Sequence, residues 1–292
     1  MTLLLAAPAP ALADGGPLFT LGPIKVKHGY TLTVLGLSCG TKFAGGNVNF
    51  TKTGRGWIEN HAYGGANNAK CQIARNLASG SLKFSLGRSV TVNINFRKRG
   101  SAKRGTLPPG CTGTPPKVQG GTATGTVKVS ISKSFFGKVS LGKVRASLSG
   151  KPSYTCNGTA FQKTIFMGAF QGTESNALVL SAGLPPKGPR TVSIFKSIAG
   201  RKRFESHGLF LTGGSSLFSA RSNLSSAKVN GAGKVTGHLK FTATPGCKGN
   251  NRTGTLSGSL VAHFDVIGNQ TLKQTKHTSA SLSKDASGQP CT

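Results

Sequence analysis

The sequence predicts an all-β protein: two tandem antiparallel domains, each a β-sandwich or small barrel, arising from an internal duplication and pinned by disulfides. Three observations carry this expectation. Short runs of alternating apolar and polar residues recur between Gly-, Ser- and Thr-rich breaks, the period and punctuation of strands and turns. One unit is used twice: Gly110-Cys111 leads to Gly121-Thr-Ala-Thr-Gly125, and Gly246-Cys247 leads to Gly254-Thr-Leu-Ser-Gly258. Each copy then reaches an Ala-Ser-Leu-Ser stretch (146–149, 280–283) and closes on a cysteine, Cys156 or Cys291.

In chain order, strands are expected over 30–37, 48–50, 56–63 and 81–86. Residues 90–96, Val-Thr-Val-Asn-Ile-Asn-Phe, alternate strictly, as a half-buried strand must because successive side chains point to opposite faces. Strands over 125–132 and 138–149 complete the first half. Residues 69–77 form the one segment compatible with a short helix. The second half follows the same plan. Val90 to Phe96 matches Val235 to Phe241, and Ile58-Glu59-Asn60-His61 matches Phe204-Glu205-Ser206-His207. The copies differ mainly in one place: Phe96 to Gly110 spans 14 positions against 5 from Phe241 to Gly246. The extra residues lie in Arg97–Pro109, the most basic stretch of the chain. The domain join is expected near Gly172–Asn176, dividing the chain into domains at 14–172 and 173–292. Each is long enough to bury a core of its own.

The Gly-Cys turn, the polar loop and the following G-T-x-x-G strand resemble the uncharacterised secreted β-rich, cysteine-containing proteins of actinobacteria. The resemblance covers both halves. It implies the fold and a secreted location, and that family brings no established activity.

Residues 1–13 are rich in Leu, Ala and Pro, uncharged, and end in Ala11-Leu12-Ala13. That is the pattern of a secretory signal peptide with its small-residue cleavage site, lacking a basic leading region and so truncated at its start. No later apolar run approaches the roughly 20 residues of a membrane helix. Six cysteines in an exported chain point to disulfides, because no C-x-x-C step or histidine at zinc-ligand spacing accompanies them. The repeat favours the local pairs Cys39–Cys71, Cys111–Cys156 and Cys247–Cys291, each closing a loop that contributes about 3–4 kcal/mol by chain entropy.

The chain holds 37 Lys and Arg against 6 Asp and Glu, a net charge of +31. So large an imbalance attracts polyanions at long range. Outside a cell these are wall polymers, acidic polysaccharide, anionic lipid head groups and extracellular nucleic acid. The candidate contact residues are Arg97, Lys98, Arg99, Lys103 and Arg104, read as the tip of a hairpin, with Arg201, Lys202 and Arg203. No aromatic residue separates these cations, so base stacking is not expected and nucleic acid would be held only non-specifically through its phosphates.

Catalytic signatures are sparse. Glycoside hydrolysis needs two flanking carboxylates, and tightly held calcium needs several clustered ones; the few acids here give neither an obvious context. Gly36-Leu-Ser-Cys-Gly40 matches a nucleophile elbow in letters, but no helix follows it. The matched Glu-x-His steps are the one polar constellation. Residues i and i+2 of a strand share a face, so Glu59 neighbours His61 and Glu205 neighbours His207. A carboxylate beside an imidazole sets its tautomer, pairs with its charge or moves a proton. The reading is therefore a secreted, non-enzymatic, envelope-associated binding protein with no cofactor and no metal. The alternatives are a structural spacer without a specific ligand, and a small-ligand barrel or hydrolase built on the Glu-x-His strands.

Overall fold

A computed structural model describes residues 18–38, 47–64, 70–73, 79–86, 90–107, 111–130, 135–149, 153–156, 164–200, 203–221, 223–246 and 251–284. The chain is all-β. Among the described residues the only helical turn is a 3-10 turn at Lys27–Gly29, and no helix is long and apolar enough to cross a membrane.

Among the described residues, twelve strands precede residue 158. They are β1 (Leu18–Lys25), β2 (Thr31–Ser38), β3 (Asn47–Gly54), β4 (Trp57–Gly64), β5 (Lys70–Ile73) and β6 (Ser79–Leu86). They continue with β7 (Val90–Lys98), β8 (Lys103–Arg104), β9 (Cys111–Thr114), β10 (Lys117–Val129), β11 (Lys138–Ser149) and β12 (Ser153–Cys156). Ten follow. They are β13 (Ile165–Thr173), β14 (Asn176–Leu184), β15 (Thr191–Gly200), β16 (Arg203–Leu211) and β17 (Phe218–Ala220). The last are β18 (Ser226–Asn230), β19 (Val235–Ala243), β20 (Asn251–Phe264), β21 (Gly268–Lys273) and β22 (Thr278–Lys284).

The chain divides into two compact units. One comprises Met1–Phe50, Ala62–Asn157 and Lys202–Phe204; the other comprises Thr51–His61, Gly158–Arg201 and Glu205–Thr292. Strand β13 (Ile165–Thr173) lies in the second unit. Thr173 and Asn176 close the β13–β14 hairpin there.

In the first unit the antiparallel ladder runs β5–β6–β7–β10–β11–β1–β2. In the second it runs β17–β18–β19–β20–β22–β13–β14–β15. The 90–96 alternation is realised in full: Val90, Val92, Ile94 and Phe96 are buried while Thr91, Asn93 and Asn95 face solvent. The first core adds Leu32, Val34, Val127 and Leu148. Four rings also pack there: Phe50 stacks on Phe136 at 3.8 Å, and Tyr30 and Tyr63 meet Phe136 edge-on. The second core joins Met167, Leu180, Ile194, Leu209, Phe218, Leu239, Phe241 and Leu260.

The expected helix at 69–77 is a correction. Residues 70–73 form β5, paired with β6 so that Cys71 faces Leu82, because a partner strand decides between helix and strand in so short a run. The strand expected from residue 125 also begins earlier, at Lys117. The glycines of this strand serve close approach. A Cβ on Gly121 would strike the Arg97 carbonyl and the Phe96 ring, and one on Gly254 would strike the Thr242 carbonyl and the Phe241 ring. Gly125 and Gly258 take positive φ, +140° and +84°, against the carbonyls of Asn93 and His238. The repeated glycines thus let backbone and ring approach where a side chain would not fit.

Candidate functional site

Glu59 and His61 lie on β4, Glu205 and His207 on β16, and these two strands pair. All four residues belong to the second unit. The expectation that each Glu neighbours its His holds. His61 Nε2 lies 2.8 Å from Glu59 Oε1, and His207 Nε2 lies 3.2 Å from Glu205 Oε2. The structure adds what spacing does not contain. The two histidines, 146 residues apart, meet Nδ1 to Nδ1 at 2.7 Å, so the matched steps form one row. All four residues are buried, at 0–1% exposure, and the Phe264 ring lies 6.5 Å from both imidazoles.

The row continues through residues that the sequence does not single out for this site. The Lys234 ammonium donates to Glu59 Oε2 and to Asp265 Oδ1. It also lies 4.8 Å from the centre of the Trp57 ring, a cation–π contact. The Asp265 backbone N–H donates to Glu59 Oε1 at 2.8 Å, and Lys52 donates to Asp265 Oδ2 at 2.8 Å. Three of the chain's 6 acids thus stand in one network. Nothing near Lys234, in the turn before β19, marks it out among so many lysines; the scarcity of acids is the one signal that could have led to Asp265.

The electrostatics follow from these contacts. Burial raises the Glu59 carboxyl, but hydrogen bonds from His61, Lys234 and the Asp265 N–H outweigh it and hold Glu59 below the usual carboxylate range. Burial pushes the His61 imidazole below its ordinary value; the His207 and Lys234 charges act in the same sense, against the Glu59 bond. For Asp265 burial acts upward, yet its bonds to Lys234 and Lys52 bring it down to about 2. Removing the fully buried Glu59 would leave donors aimed at it unpaired, which costs several kcal/mol. Among the described residues no three His, Cys, Asp or Glu side chains are placed to hold a metal ion.

The basic stretch is ordered differently from a hairpin tip. Arg97 and Lys98 remain in the ladder opposite Thr122 and Gly121 of β10. Lys103 and Arg104 resume pairing with the same strand, opposite Val118 and Lys117. Residues 99–102 therefore interrupt the pairing with β10 as a bulge between β7 and β8. Its fastener is Gln119, 3% exposed, whose side-chain amide donates to the carbonyls of Arg99, Gly100 and Gly120 at 3.2, 3.2 and 2.8 Å. Arg97, Lys98, Arg99, Lys103 and Arg104 are all exposed.

Cys111 and Cys156 stand directly opposite each other in the β9–β12 ladder. Met1–Ala13, Cys39, Arg201, Lys202, Cys247 and Cys291 lie outside the described residues, as do the side chains of Cys71, Cys156 and Arg203.

No family model and no curated protein matches the chain. Among solved structures, kievitone hydratase from Nectria haematococca is similar at a TM-score of 0.26 and 10% identity, over 93% of this chain and 89% of that one.

Proposed function

We propose that this is a secreted, non-enzymatic binding protein, retained at the cell envelope by electrostatic attraction to anionic surface polymers. One observation carries the reading: five exposed cations, Arg97, Lys98, Arg99, Lys103 and Arg104, are gathered alongside one strand, β10, in a chain whose net charge is +31. The Gln119 amide holds the bulge between them, which lowers the ordering cost when a polymer docks. Lys and Arg contacts to phosphate give affinity without sequence readout, and binding that falls steeply with salt. In this reading Glu59, His61, Glu205 and His207 support folding, since buried side chains offer no atom to a substrate.

The finer architecture belongs to the same proposal. The chain is a duplicated, barrel- or sandwich-like repeat of the kind found in secreted β-rich proteins of actinobacteria, entering the export route on residues 1–13 and pinned by local disulfides. Support comes from the recurring order of strand pairing and from the matched glycines. It comes also from the opposition of Cys111 and Cys156, since directly opposed positions on antiparallel strands lie at disulfide range.

The test is retention of the full chain on teichoic-acid-containing cell walls over a salt series. Neutralising Arg97, Lys98, Arg99, Lys103 and Arg104 to Gln should weaken retention and flatten its salt slope. Retention indifferent to salt, or to that neutralisation, would reject the electrostatic reading.

A further inference from the structure

We propose that Glu59, His61, His207 and Glu205 together bind one proton more in the folded protein than the same side chains carry in neutral water, and that the stability of the second unit depends on retaining it.

The argument is a proton count along three contacts: Glu59 to His61 at 2.8 Å, His61 to His207 at 2.7 Å, and His207 to Glu205 at 3.2 Å. Each is a hydrogen bond, and each needs one proton. At 2.7 Å, two ring nitrogens with no proton between them would set lone pair against lone pair. Two protons would set N–H against N–H. The Glu59 end fixes the polarity. Its carboxylate already receives the Lys234 ammonium and the Asp265 backbone N–H, so it accepts, and His61 donates from Nε2. Burial keeps His61 neutral, so its Nδ1 accepts and His207 Nδ1 donates. The His207–Glu205 contact then holds a further proton, as imidazolium with carboxylate or imidazole with carboxylic acid. The count is three. Two neutral imidazoles and two carboxylates in water carry two.

Among the described residues, the charged and titratable groups facing His61 and His207 are Glu59 on β4, Glu205 on β16, Lys234 before β19 and Asp265 after β20, with Lys52 of β3 behind Asp265.

The linkage has a definite sign. Above the ordinary histidine value of about 6.5 the unfolded chain carries two protons on these groups. Folding then takes up one, and the folding constant falls about tenfold per pH unit. Below that value each unfolded histidine gains a second proton, folding releases one, and stability falls toward acid. The contribution of the row peaks near pH 6.5.

Two measurements on the full chain test this. Nitrogen NMR of the imidazoles at pH 8 should find two N–H protons on one ring or, if Glu205 holds the proton, one on each ring with a protonated Glu205 carboxyl. Two singly protonated rings beside two ionised carboxylates would overturn the proposal. Urea unfolding between pH 7.5 and 9 should show the tenfold loss per pH unit in the wild type and little in Glu205→Gln. The Gln amide donates to His207 Nε2 without a titratable proton, so the row stays complete and the uptake disappears. A wild type flat with pH, or a Glu205→Gln protein that keeps the wild-type slope, would also overturn it. Should Glu205→Gln not fold, the wild-type spectrum and slope decide alone.

Discussion

Glu59 accepts a hydrogen bond at 2.8 Å from the backbone N–H of Asp265, a residue 206 positions further along the chain. Glu59 belongs by sequence to the first half, yet it completes the polar interior of the second unit. The same carboxylate answers Lys234 and His61.

Truncating Glu59 should therefore be among the most damaging single changes in the molecule. Glu59→Ala takes one of two carboxylates from Lys234, leaves the His61 Nε2–H and the Asp265 backbone N–H without this acceptor, and should cost about 3–5 kcal/mol in urea unfolding. Lys52→Ala removes a pair whose side chains are 32% and 25% exposed and should cost less than about 1 kcal/mol. Equal costs would mean that burial does not set the strength of this network.

Asp265 should dominate the acid limb. Its folded pKa of about 2 lies below the ordinary aspartate value of about 3.9, so its contribution is present above about pH 4 and is lost as pH falls toward 2. That contribution is about 2 kcal/mol. Thermal or urea unfolding from pH 5 to pH 2 should show a shallower acid loss for Asp265→Asn than for the wild type.

The repeated glycines give a local contrast. Gly121→Ala places a methyl against the Arg97 carbonyl and the Phe96 ring, and Gly125→Ala adds a positive φ of +140°. Each should cost about 1–3 kcal/mol. Gly120→Ala meets open space and should lie within about 0.5 kcal/mol of wild type or above it. Unfolding midpoints of the three variants check the order.

Gln119 should control the basic bulge. Gln119→Ala strips the amide from the carbonyls of Arg99, Gly100 and Gly120, all on exposed residues, and should cost about 0.5–1.5 kcal/mol. Limited trypsin digestion should then cut faster between Arg97 and Arg104 than in the wild type. An unchanged cleavage rate would show that the ladder with β10 alone holds the segment.

Much of the fold is legible in the chain because strand signals are local. The alternation over 90–96 names its buried and exposed faces correctly, and the Glu-x-His spacing places each carboxylate beside its imidazole. The same local reading misassigns 70–73, where the partner β6 imposes a strand, and shortens β10, which starts at Lys117 within the stretch read as a polar loop.

By itself the sequence determined the all-β class, the overwhelming positive charge and the pairing of each Glu with its His, because composition and a period of two need no knowledge of distant residues. Only the tertiary structure decided which face those pairs occupy and what covers them. A period of two states that Glu59 and His61 share a face; it does not state that the face is buried, that His207 waits 2.7 Å away, or that Lys234 and Asp265 complete the charge. Those are contacts across more than a hundred residues, set by how the strands close on one another.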